Sequence, residues 1–243
     1  MKAMILAAGF GSRLRPLTDR QPKPLVRVGD HPLIAYPLAL LRAAGIREAV
    51  INLHHRGDMI RAALGDEAYG VRITYSEEDP ILDTGGAIRR AERWLAGERF
   101  VVLNSDILID LDLRPLLAWH AEHAALATMV LRPDRQAARY GVIEIDAAQR
   151  IRRFLGQPPR VDTPLTPFMF SGVHVFEPRV YDYLGSGRFS ITRETYPRML
   201  AADETLCGYV FDGYWRVLDT HAGLAEGRHD LATRACLTPR HLP

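Results

Sequence analysis

A chain of 243 residues with 47% hydrophobic and 25% charged residues has the composition of an ordinary globular α/β protein, long enough to bury a substantial core. Its 31 basic and 29 acidic residues leave a formal net charge of +2, which excludes a global pull toward nucleic acid or an anionic membrane and makes any anion site local. Two cysteines, Cys207 and Cys236, lack metal-ligand spacing and cannot build a disulfide framework, so a reducing, cytoplasmic compartment is expected.

The first apolar run, Lys2–Ala7, is cut short by Gly9 and Arg13 at about half the length of a membrane span and reads as a buried strand. Ile34–Ala44 has helical periodicity and stops at Gly45; Ala49–Asn52 is a strand, Asp58–Leu64 a helix ending at Gly65, and Val71–Tyr75 a strand. Gly86–Leu95 is helical, and Phe100–Asn104 is a continuous apolar strand. This alternation predicts βαβ units and a mainly parallel central sheet: a Rossmann-like three-layer α/β sandwich.

Beyond Leu113 the pattern changes. A helix at Leu113–His123 precedes a strand at Ala127–Leu131, then Gly141–Ile145 and Ile151–Phe154 form a hairpin across Asp146–Gln149. Phe168–Phe176 is a strand, Arg179–Leu184 and Ile191–Ala201 are helices, and short strands follow at Leu206–Val210 and Trp215–Leu218. With no repeat or linker, one domain is expected: an α/β core over 1–112 and a substrate-facing portion over 113–243.

The densest chemistry lies directly after the first strand, in Gly9-Phe10-Gly11-Ser12-Arg13-Leu14-Arg15-Pro16-Leu17-Thr18 and Pro22-Lys23-Pro24-Leu25. Glycines let backbone N–H groups approach phosphate oxygens; Arg13 adds a forked guanidinium and Lys23 a point charge held between prolines. Leu14 replaces the third glycine of the dinucleotide fingerprint, and no Gly-Lys-Ser/Thr follows to make a P-loop. Asn104-Ser105-Asp106 ends an apolar strand on a carboxylate, a place suited to a hard cation such as Mg²⁺; a loop aspartate or helix cap is the plain alternative.

These strings resemble the sugar-1-phosphate nucleotidyltransferases, the nucleotide-diphospho-sugar transferase type, whose signature is Gly-x-Gly-x-Arg-Leu-x-Pro-Leu-Thr followed by Pro-Lys-Pro. The resemblance runs to about His229-Asp230-Leu231 and looks nearest to short members that make UDP-N-acetylmuramic acid or GDP-mannose. It implies that Ala7, Ala8, Gly9, Gly11 and Ser12 bind nucleotide and that Arg13, Lys23 and Asp106 are catalytic, with Mg²⁺ on Asp106. It also implies base and ribose contacts at Asp83, Thr84, Gly85 and Gly86, where Thr84 otherwise reads as a helix N-cap. Sugar contacts would fall at Asn104, Gly141, Ser171 and Gly172; plain alternation puts Ser171 and Val173 on one strand face and Gly172 on the other. The implied substrates are an NTP, UTP or GTP first, and a sugar 1-phosphate. No nucleic-acid or membrane partner is expected, and the oligomeric state stays open.

Two segments depart from the family pattern. Where the family has Trp-x-Asp-x-Gly-Thr, this chain has Trp215-Arg216-Val217-Leu218-Asp219-Thr220, so Val217 stands at the usual metal aspartate. Asp219 is expected to supply the second metal contact through a bulge or slide that turns it toward Asp106, against the alternative of a solvent-facing turn residue. Gly156-Gln157-Pro158 lacks the family's sugar-phosphate lysine, leaving Arg13, Lys23, the metal, Arg152 or Arg193 as substitutes. His54-His55 reads as a loop or sugar-lining polar pair, and His120 with His123 as a solvent face; Cys207 reads as a core thiol and Cys236 as a tail thiol. Asp110-Leu111-Asp112 opens a helix but is also a DxD string, so a DxD glycosyltransferase is the alternative enzyme, and a binding module silenced at Val217 the non-enzyme alternative.

Overall fold

Short β-branched runs ending on polar residues become parallel strands, and the glycines between them end the helices. The computed structural model describes residues 1–134, 142–233, 235 and 242. Its strands are β1 (Lys2–Leu6), β2 (Arg27–Val28), β3 (His31–Pro32), β4 (Glu48–Leu53), β5 (Glu67–Ala68), β6 (Val71–Glu77) and β7 (Phe100–Asn104). There follow β8 (Ile107–Ile109), β9 (Ala127–Arg132), β10 (Ile143–Ile145), β11 (Ile151–Phe154), β12 (Thr166–Phe176), β13 (Leu206–Val210) and β14 (Trp215–Val217).

The chain forms two compact units. The first comprises Met1–Ile81, Leu103–Leu113 and Gly213–Pro243; the second comprises Leu82–Val102 and Arg114–Asp212. The division therefore does not follow a single cut near residue 112: the C-terminal segment returns to the first unit, and β7 changes units within its length.

In the first unit β4 lies parallel to both β1 and β6, and β5 closes the edge as an antiparallel hairpin with β6. The helix Ala35–Ala43 stops at Gly45 (φ 80°), and the helix Gly57–Leu64 at Gly65 (φ 61°), where a Cβ would be strained. β8 pairs antiparallel with β14, aligning Ile107 with Val217. Leu14, Val28, Tyr36, Leu108, Leu218 and Leu224 form one buried cluster, so three distant stretches of chain share a core beneath the glycine loop. Each such side chain contributes about 1.5–3 kcal/mol by burial.

The second unit carries a mixed sheet in the order β11-β10-β12-β9-β13, antiparallel except for the β9–β13 pair. The expected hairpin appears with Ile145 opposite Ile151. Gly208 N–H donates to the Gln149 carbonyl (2.9 Å), and Arg150 bridges Cys207, so the far strand turns back onto the hairpin turn. The region expected to be helical at Arg179–Leu184 is a 3₁₀ segment, Pro178–Tyr183; the next helix begins as a π turn, Ile191–Thr195, before Tyr196–Ala201.

Two expectations are corrected here. His120 does not face solvent: it is fully buried, with Nδ1 2.7 Å from Thr128 Oγ1 and Nε2 3.3 Å from Glu177 Oε1. Burial, with the charge of Arg99, pushes its pKa down to about 4 against the pull of Glu177. His123, one turn on, is on the outside and stacks on Trp119. The helix is amphipathic with its boundary between these histidines, which residue type alone does not reveal. Plain alternation in β12 also fails, because the register with β9 shifts between Phe170 and His174, around Gly172 at φ 96°. Ser171, Gly172 and Val173 are consequently all buried. Cys207 is a buried core thiol whose pKa burial raises to about 11; Cys236 lies outside the described residues.

Candidate active site

The carboxyl end of β1 and the end of β7 are brought side by side where Ser105 N–H donates to the Leu6 carbonyl (3.2 Å). The glycine loop leaves from the first and Asp106 from the second. This edge of a parallel sheet is where α/β proteins place ligands.

The loop's shape follows from its residues. Gly11 sits in the left-handed region (φ 62°), and an added Cβ would lie 2.9 Å from Thr18 Cγ2 and 3.1 Å from Lys23 Cβ. Glycine is required here by conformation and by space. Buried Thr18 donates its hydroxyl to the Gly11 carbonyl (2.9 Å), and Leu14 N–H donates to the same oxygen (2.9 Å). Gly9 has nothing within 4 Å of where its Cβ would be, so the chain there borders open space, while Ala7 and Ala8 are buried beneath it and Ser12 is exposed.

A buried polar chain fixes the loop from below. Ala7 N–H donates to Asn52 Oδ1 (2.7 Å), and Asn52 Nδ2 donates to Glu78 Oε1 (2.8 Å). His54 Nδ1 lies 2.8 Å from the Glu78 carbonyl, and His55 Nε2 3.2 Å from the Thr18 carbonyl. A carbonyl only accepts, so each of these ring nitrogens carries the proton. Phe10, half exposed, sets its ring against both histidines at 5.3 and 5.6 Å. The histidine pair is thus a brace for the loop. Asn52 and Glu78 were missed from the sequence, although Asn52 carries the same signal as Asp106: a polar residue ending an apolar strand.

Two ion pairs involve cations of this loop and the segment after it. Lys23 Nζ is paired with Asp106 Oδ2, both side chains largely shielded. Arg13 Nη1 is 2.6 Å from Asp219 Oδ2. The β8–β14 ladder runs through Val217 opposite Ile107 without a register shift, and Leu218 N–H donates to the Asp106 carbonyl (2.8 Å). No bulge there turns Asp219 toward Asp106. The solvent-facing reading of Asp219 also fails, because its side chain is only 12% exposed and its carboxylate holds Arg13. Asp110 and Asp112 stand just before the helix Leu113–Glu122, as expected for the start of a helix, and Asn104 ends β7.

The remaining sequence candidates belong to the second unit. Asp83 starts a helix, Asp83–Arg90, at φ 60° and accepts from Thr84 N–H (2.6 Å). Thr84 does not cap its own helix; its hydroxyl accepts from Ile191 N–H (3.0 Å). Gly85 and Gly86 donate to the Phe189 carbonyl (2.9 and 3.3 Å). A Cβ on Gly85 would strike the Phe189 ring at 2.2 Å, and one on Gly86 the Gly187 carbonyl oxygen at 2.3 Å. Ser171 donates its hydroxyl to the Val130 carbonyl (2.8 Å) beside the Gly172 bulge. Gly141 lies outside the described residues. Gln157, where the family lysine would stand, lines a cavity of about 450 Å³ with Arg152, Arg160 and Leu200; Arg152 is held by Asp146 (2.7 Å).

Among the described residues no three His, Cys, Asp or Glu side chains gather as a metal cluster. A cation at Asp106 would take most of its ligands from water and substrate phosphates, the usual manner of Mg²⁺, so the hard, part-exposed carboxylate of Asp106 fits that ion.

A glycine turn with two cation–carboxylate pairs, at the carboxyl edge of a parallel sheet, defines an α/β protein of the kind that places ligands at such an edge. The chain belongs to the nucleotidyl transferase family, whose model matches residues 2–234. It is 36% identical over 220 residues to a mannose-1-phosphate guanyltransferase of Yarrowia lipolytica, covering 88% of this chain and 60% of that protein. The corresponding protein of Candida albicans is 35% identical over 221 residues with the same coverage. The chain thus spans 60% of the length of the curated relatives it matches. A Bacillus anthracis structure assigned as a glucose-1-phosphate thymidylyltransferase, in complex with sucrose, superposes with a TM-score of 0.81 at 26% identity, over 94% of each chain. No helix among the described residues is long and apolar enough to cross a membrane.

Proposed function

We propose that the protein transfers a nucleotidyl group from an NTP to a sugar 1-phosphate, releasing pyrophosphate and forming an NDP-sugar. The observation that carries this reading is the pairing of Lys23 with Asp106 and of Arg13 with Asp219 around the Gly9–Thr18 loop. Two cations and two carboxylates at one loop suit a reaction in which a polyanion and its counter-cation are both bound. The curated relatives favour GTP and mannose 1-phosphate as the first pair to test, with UTP next.

The nucleophile is a sugar-phosphate oxygen, already anionic near neutral pH, so attack on the α-phosphorus in line needs no general base. This chain's residues act by positioning and by neutralising charge. Gly9 and Gly11 let the backbone approach the phosphates, Arg13 and Lys23 offset their charge, and Asn52 and Glu78 hold the loop in register. Mg²⁺ held by Asp106 would supply further charge neutralisation at the phosphates, with Asp219 available as a second carboxylate only once Arg13 has released it. Ser171 and Gly172 remain the proposed sugar-side residues, and Asp83–Gly86 the nucleoside-side segment.

The test is incubation with each NTP, a panel of sugar 1-phosphates and Mg²⁺, scored for pyrophosphate. Release supports the reading. Turnover only of a ready-made NDP-sugar with an acceptor moves the assignment to glycosyl transfer. Tight binding with no turnover marks a binding module in which Val217 has ended catalysis.

A further inference from the structure

We propose that Asp219 is a displaceable counter-anion of Arg13, which masks the phosphate cradle so that a polyphosphate must exchange partners to enter. The proposal rests on the nucleotidyl-transfer reading above and concerns how that site is regulated by its own charges.

The two halves of the pair are held differently. Arg13 exposes 68% of its side chain, whereas Asp219 exposes 12%. On one side of Asp219, Leu218 is fully buried and its N–H is bound to the Asp106 carbonyl. On the other, Thr220 accepts from Gly223 N–H (3.1 Å) and caps the helix His221–Ala232, while His221 Nε2 donates to the Arg15 carbonyl (3.0 Å). The carboxylate is therefore the anchored partner and the guanidinium the movable one. Arg15 belongs to the same turn as Arg13, so the His221 contact fixes that turn beside the carboxylate.

The electrostatic consequence is direct. A phosphate reaching the loop meets a guanidinium whose charge is already compensated at 2.6 Å, and a lysine compensated by Asp106. Because Arg13 keeps most of its side chain in solvent, its pair with Asp219 is screened and can be traded. When phosphate oxygens take the cations, two carboxylates are left without partners, which favours a divalent cation. Metal and triphosphate then bind as a unit, and metal-free polyphosphate is disfavoured. Val217 contributes by being inert, since its side chain has no atom that could hold Arg13 or a cation.

Calorimetric binding of inorganic pyrophosphate, in chelator and at low salt, tests this with wild type, Asp219→Asn, Arg13→Ala and the double variant. Thermal midpoints confirm that each is folded. Asp219→Asn should tighten metal-free binding about tenfold, equivalent to about 1.4 kcal/mol. The gain should shrink as salt is raised and vanish in the Arg13→Ala background. An unchanged or weaker affinity, or binding too weak to measure in both proteins, overturns the proposal. So does a gain that survives without Arg13, which would reflect general charge. A parallel Mg²⁺ turnover assay on wild type separates the two ideas: turnover present with the wrong binding pattern sinks only this proposal, whereas no turnover sinks the function reading.

Discussion

Arg13 and Lys23, the two cations proposed to bind the phosphates, differ in setting, one exposed and forked, the other shielded beside Gly11. Replacing either by alanine should lower kcat/KM for pyrophosphate release at least about a hundredfold, the scale of one lost transition-state charge contact. Near-normal rates in both variants at low and saturating substrate would remove the phosphate-cradle role. Asp106→Asn keeps the side chain's shape but not its charge, so Mg²⁺-dependent turnover should disappear while the thermal midpoint holds. Asp110→Asn should be mild, because the Asp110 backbone N–H, bonded to the Tyr214 carbonyl (3.1 Å), is untouched. The reverse ranking would place the metal on the DxD string. Val217→Asp puts a carboxylate opposite Ile107; a rise in turnover would mean that Asp219 does not serve the metal.

At the scale of elements, the strands that end at the site were legible because their carboxyl ends carry polar residues after apolar runs, as at Asn52 and Asn104. Helix ends were legible at Gly45 and Gly65 for conformational reasons. What the sequence did not disclose was set by tertiary pairing. The β8–β14 ladder, the last helix and the His120–Thr128–Glu177 contact depend on partners far along the chain. Thr84 was recognised as a capping residue, yet its hydroxyl accepts from Ile191 N–H instead, and local pattern cannot distinguish the two. The Gly85-Gly86 pair illustrates the same point, since its space is taken by Phe189 and Gly187. Gly86→Ala should destabilise the protein by about 1–3 kcal/mol through overpacking, read as a lower urea midpoint with an unchanged slope. An unchanged midpoint would mean that the 187–189 segment yields freely.

The whole molecule inherits a pH dependence from its buried histidines. His174, stacked among Phe170, Phe176 and Tyr196, has its pKa lowered by burial to about 3, and His120 is lowered to about 4. Below about pH 6.5 the unfolded chain takes protons that the folded one refuses, so stability is full above that value and declines as pH falls toward 4. The thermal midpoint should drop between pH 7 and pH 5, and His120→Gln should flatten the slope. A midpoint independent of pH across that interval would contradict the buried neutral state.

The path of the chain between its two units carries a consequence for the order of synthesis. The backbone changes unit four times, at Ile81–Leu82, Val102–Leu103, Leu113–Arg114 and Asp212–Gly213. Leu218 and Leu224 complete the cluster that supports Leu14, and Asp219 reaches Arg13 across 206 positions of sequence. A ribosome therefore delivers the glycine loop well before its counter-anion, and that edge of the first unit stays unfinished until Asp219 has emerged. A chain released at Asp212 should expose its first-unit segments to protease while the second unit resists. Long-range closure of this kind slows folding, and it makes the loop's ion pair wait for the arrival of Asp219.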